Sequence, residues 1–142
     1  MKSRSESLIR LKKFNVDEKR RQVMQIEMMV ADFERMASEL DQQIEIEQTK
    51  TGISDVAHFA YSTFAKAALQ RRDNLLASAQ DMRVKLENAQ DQLAEALEDL
   101  KKVELLDQRE HQRERDEQNK LEQEAFDEVA RKYRADRGFK QT

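Results

Sequence analysis

The chain has 142 residues, no Pro, Cys or Trp and only two Gly, and 39% of it is charged while 6% is aromatic. Such a composition belongs to long helices or coiled coils and excludes a thick globular core, a disulfide scaffold and, with no run of about 18 apolar residues, a membrane span. The net charge is −3, but its distribution says more than its sum. Residues 1–21 hold eight Lys/Arg against three acids, residues 22–107 nine against seventeen, and residues 108–142 nine of each. The basic block at one end is the part suited to an acidic partner. Met1 to Arg10 is polar and has no apolar signal core, so we expect a protein kept inside the cell, which the lack of Cys also fits.

Ser3, Ser5 or Ser7 can cap a first helix, expected over about 6–48. One lane of that helix reads Ile9, Val16, Val23, Val30, Ala37, Ile44 in steps of seven. Its companion reads Lys12, Lys19, Ile26, Phe33, Leu40 and is apolar only from Ile26 onward. A repeat of 3.5 residues marks a coiled-coil seam. The pairing should therefore be tight from about residue 23 and looser before it.

Residues 49–61 read as a turn. Gly52 suits the left-handed end of a helix, and Ser54 or Asp55 can cap the segment after it. A second helix is expected over about 62–134. Its lanes are Leu75, Met82, Ala89, Ala96, Val103 and Ala79, Leu86, Leu93, Leu100. The apolar stripe stops at Leu106, near where a folded-back first helix would run out. The spacing thus predicts an all-α fold in one domain: two long helices in an antiparallel coiled-coil hairpin, the second helix overhanging at its C-terminal end. Asp107 to Lys120 contains no apolar residue. Pairs four apart, such as Arg113–Glu117, Asp116–Lys120 and Lys120–Glu124, could support it as a solvated helix. Apolar residues then return at Leu121, Ala125, Phe126, Val129 and Tyr133, and Phe126, Val129 and Tyr133 share a helix face.

Catalytic chemistry is not written into this chain. It has no phosphate-binding Gly-rich loop, and its two His residues, His58 and His111, stand apart, so neither a cofactor nor a metal is expected. Each His reads better as a solvated or capping group than as a ligand or base. Met24, Met28 and Met29 flank the Val23–Val30 seam and read as packing before promiscuous binding. The basic residues Arg10, Lys12, Lys13, Lys19, Arg20 and Arg21 lack interleaved aromatics. They suit a solvated face or an acidic protein partner better than nucleic acid. The Phe126/Val129/Tyr133 patch suits self-association or docking into another protein.

Three local patterns in fixed order complete the reading: Leu8-x-x-Leu11 near the start, Tyr61-x-x-Phe64 opening the second helix, and Asp127-Glu128-Val129-Ala130-Arg131 after the charge-rich stretch. With this layout the whole chain resembles the FliJ family of the flagellar type III export apparatus. The resemblance implies a non-enzymatic, cytoplasmic protein of flagellum biogenesis and motility, peripheral at the cytoplasmic face of the inner membrane and not inserted in it. It implies a shape similar to the stalk of rotary ATPases, coupling a hexameric export ATPase to a membrane export gate and handling export chaperones. By motif, the gate-binding residues would be Tyr61, Phe64 and Ala68, while Arg71 and Leu75 depart from the family pattern. The ATPase-binding regions would be the two termini: Arg10, Lys12, Lys13, Phe126, Val129, Arg131, Tyr133 and Arg134. The alternative from the residues alone is a coiled-coil scaffold or dimeric adaptor with no ATPase partner.

Overall fold

The computed structural model describes residues 4–140. Two helices account for nearly all of them, α1 (Arg4–Thr51, 48 residues) and α2 (Thr63–Lys140, 78 residues), and there is no strand among the described residues. The chain divides into two compact units, Lys12–Glu98 and Met1–Leu11 with Asp99–Thr142.

In the unit of residues 12–98, the buried residues of α1 are Val16, Val23, Val30, Ala37 and Ile44, spaced by seven as the lane predicts. Ile26, Phe33 and Leu40 of the companion lane are half-buried, and so are Lys12 and Lys19, whose long stems can cover apolar surface while the ammonium stays wet. On α2 the fully buried positions are small: Ala65, Ala68, Ala79, Ala89 and Ala96, with Leu75, Met82, Leu86 and Leu93 half-buried between them. Alanine at these places lets two helix backbones approach closely, and each residue contributes little burial, so packing is spread along a line.

Polar bridges show which residues of the two helices meet. Gln48 Nε2 donates to Tyr61 Oη at 2.9 Å, and Ser62 Oγ to Glu47 Oε1 at 3.0 Å. Arg72 Nη1 donates to Asp41 at 2.8 Å, Arg83 pairs with Glu34, and Lys19 Nζ donates to Gln92 at 3.1 Å. Partner numbers rise along α2 as they fall along α1. The α2 lane also starts earlier than the sequence reading placed it. Ala65, Arg72 and Ala79 are seven apart, so Arg72 occupies a seam position and meets its burial by pairing with Asp41.

The connection is built from local caps. α1 continues through Thr51, a few residues past the expected end, because the first residue to leave helical geometry is Gly52, at φ 73°. Its N–H donates to Gln48 O at 2.9 Å. Asp55 accepts from Ala57 N at 3.0 Å and closes a turn, His58 N reaching Asp55 O at 3.0 Å. The N-cap of α2 is Ser62, whose Oγ accepts from Ala65 N at 3.2 Å.

In the other unit, Ile9, Leu100, Val103 and Asp107 are half-buried. From Gln108 to Gly138 every residue is exposed except Ala130, which is half-buried. Helix here is supported along its own surface. His111 lies 3.4 Å from Asp107, Arg131 pairs with Glu128 at 3.1 Å, and Gln123 bridges to Asp127 at 3.2 Å. Arg113 pairs with Glu110, three residues back, rather than with Glu117. An acid placed N-terminal to its base is the better orientation along a helix. α2 reaches Lys140, beyond the expected end near 134, as no Pro or early Gly stops it.

Candidate functional site: two groups of exposed apolar residues

The first group sits where α1 and α2 join. Tyr61 is only 9% exposed, and its hydroxyl is taken by Gln48, so it ties the loop to the end of α1. Ala68 is 6% exposed and belongs to the seam. Phe64 lies off both lanes and is 56% exposed. Phe64 and Ala68 line one shallow groove with Leu40, Gln43, Ala67 and Arg71. A second groove adjoins it, sharing Leu40, Gln43 and Arg71 and adding Met36, Glu39 and Leu75. Of the three residues expected to meet the gate, the structure brings two together and sets Tyr61 apart as a support. Arg71 and Leu75 line the same ground although they depart from the family pattern.

Electrostatics at this end are dominated by one side chain. Arg72 donates to Asp41 and, from Nε and Nη2, to Asp73 at 3.2 and 3.0 Å. Those hydrogen bonds, Asp41's first, hold the guanidinium's pKa above its ordinary value, so it is a fixed cation. Arg71, one residue earlier, is exposed and faces the grooves.

The second group lies on the exposed part of α2. Phe126, Val129 and Tyr133 are all roughly two-thirds exposed. Their spacing of three and four aligns them. Exposed Arg134 lies at the edge of this face, whereas Arg131, held by Glu128, lies on the opposite side of the helix. Arg10 belongs to the same unit and is exposed, whereas Lys12 and Lys13 belong to the unit of residues 12–98.

Two features escaped the sequence reading. Arg72 could have been found by extending the α2 lane back to Ala65. Phe59 sits in a segment without periodicity and is 96% exposed, stacked on His58 with ring centroids 4.8 Å apart. Among the described residues no group of three or more His, Cys, Asp or Glu could hold a metal ion, and no helix is long and apolar enough to cross a membrane.

No curated protein and no solved structure matches the chain. The model of one family, the flagellar FliJ protein, matches residues 1–138. That match takes in both helices and the loop between them: the chain belongs to the FliJ family and is a component of the flagellar protein export apparatus.

Proposed function

We propose that the chain is a non-enzymatic stalk, an antiparallel coiled-coil hairpin whose second helix overhangs, coupling the hexameric export ATPase to the membrane export gate. It works at the cytoplasmic face of the inner membrane and also handles export chaperones. The overhang, with Phe126, Val129, Arg131, Tyr133 and Arg134, and the basic N-terminal residues Arg10, Lys12 and Lys13 meet the ATPase ring. The groove bearing Phe64 and Ala68, held in place by Tyr61, meets the gate.

The observation that carries this reading is the exposed run from Gln108 onward, which ends in three large apolar side chains on one face. An isolated charged helix gains nothing from holding two aromatics in water. Burying them with Val129 in a partner contributes about 1.5–3 kcal/mol each before the cost of association. Arg134, at the edge of that face, suits an acidic rim on the ring. The test is Phe126→Ala combined with Tyr133→Ala. Helicity by circular dichroism should stay as in the parent, and stimulation of the ATPase should disappear. If the variant still binds and activates the ring, the reading fails. If the parent is already a tight dimer through this patch, the scaffold reading replaces it.

A further inference from the structure

The face of Phe126, Val129 and Tyr133 carries a charge at each end. At about 100° per residue, Glu122 stands one turn before Phe126 on that face and Arg137 one turn after Tyr133. The face therefore reads Glu122, Phe126, Val129, Tyr133, Arg137: an acid, three apolar side chains and a base. All five are exposed. The surrounding sequence has the same polarity. Residues 122–128 carry four acids and no base, and residues 131–137 four bases and one acid. Among the described residues, the only ion pair within 122–137 joins Arg131 to Glu128, on the far side of the helix. Glu122 accepts from the neutral Gln118 at 3.2 Å, which leaves its charge uncompensated.

Such a pattern complements itself when reversed. Turned about a twofold axis between Val129 and Ala130, a second copy sets Tyr133 against Phe126 and Arg137 against Glu122, and each contact occurs twice. A parallel copy sets Glu122 against Glu122 and Arg137 against Arg137, and like charges repel. We propose that the free chain pairs with a second copy in this antiparallel way, and that the pairing covers the face offered to the ATPase. The masking rests on the reading of that face as the ATPase contact, whereas the pairing does not. Area sets the strength. An aromatic side chain buries about 150–250 Å², so two of them with Val129 fall short of the roughly 800 Å² per partner of a standard interface. The dimer is therefore weak, with a Kd on the order of 10 μM or above. It gives way to a ring that encloses the same side chains more fully. It is a resting form, in which the two aromatics leave water while the docking face stays closed.

The experiment is sedimentation equilibrium of the full-length chain over a range from about 1 to about 300 μM. The parent should move from the 16.8 kDa monomer toward twice that mass. Glu122→Arg and Arg137→Glu should each weaken association about tenfold, because attraction at both symmetric contacts becomes repulsion. An equimolar mixture of the two variants should recover the parent's association, since each copy then supplies the charge that the other lacks. Circular dichroism should match the parent throughout, both positions being exposed. Adding the flagellar export ATPase should dissolve the dimer and leave single copies on the ring. A parent that stays monomeric at the highest concentration refutes the pairing, and the ATPase reading stands if the ring is still stimulated. Variants that associate as well as the parent, or a mixture that fails to recover, refute the antiparallel contact. A ring that binds the dimer without separating it refutes the masking. A dimer still intact at nanomolar concentration overturns both the resting form and the ATPase reading.

Discussion

Arg72 stands in a lane whose neighbours seven residues away are Ala65 and Ala79, yet its side chain is only 28% exposed. An ion in a helix seam loses hydration that its partner must return. Here the partner, Asp41, is itself 54% exposed, so water screens the pair and its coupling should be about 0.5–1 kcal/mol. A double-mutant cycle with Arg72→Ala and Asp41→Ala, read by urea unfolding, should return that value. Removing Arg72 alone leaves a wettable carboxylate and should cost no more than about 1 kcal/mol. Arg72→Leu should differ in kind. It replaces the ion by a side chain that the lane can bury, and should hold or raise the unfolding midpoint while weakening the choice of register. The guanidinium pKa is raised, so its contribution is fully present below the ordinary arginine range and is lost only above it. Coupling should therefore be flat from about pH 6 to about pH 9. A coupling near zero together with a destabilised Arg72→Leu would show that the pair is a surface accident and that the lane does not pass through residue 72.

Leu93→Asp places a charge in the half-buried lane and should loosen the pairing, whereas Glu95→Lys at an exposed position should shift the unfolding free energy by less than about 0.5 kcal/mol. Equal melting temperatures would refute the register. Gly52→Ala has open space for its Cβ but must hold φ 73°, so a loss of about 1 kcal/mol should come from backbone conformation alone. Asn at the same position should recover part of it. Phe64→Ala should reduce binding to export-gate membranes while the melting temperature hardly moves, because the side chain is mostly in solvent. A large fall in melting temperature with binding intact would make Phe64 a packing residue of the loop.

The seam could be read in advance because a heptad lane is a linear pattern. Val16 to Ile44 announces its burial by spacing alone, and no long-range pairing has to be guessed. The loop could be read at Gly52 for the same reason, since one residue type marks one backbone angle. Side-chain direction close to the loop was harder. Ala68 sits one helix turn after Phe64, and its methyl group fits a seam as well as a surface, so family pattern alone could not say that it is buried. Arg72 was hidden by its charge, since a search for apolar steps passes over it. Phe59 was hidden because exposure of a loop ring depends on hydrogen bonds between neighbours, such as Ala60 to His58, that no periodicity encodes. The exposed run beyond Gln108 was visible as missing apolar residues, while the direction of its charge pairs depended on rotamers.

The order of cross-helix bridges has a kinetic consequence. In sequence, Gln48 and Tyr61 are 13 residues apart, Glu47 and Ser62 15, Asp41 and Arg72 31, Glu34 and Arg83 49, and Lys19 and Gln92 73. Closing the longest loop first would cost the most chain entropy for a single lysine–glutamine bridge. Closing the shortest first turns each later step into a small extension of paired helix. The unit should therefore zip from the loop outward. Substitutions around Ile44 and Tyr61 would then slow folding, and substitutions around Val16 would mainly hasten unfolding. The rigid turn that presents Phe59 would also be the nucleus from which the two helices find each other.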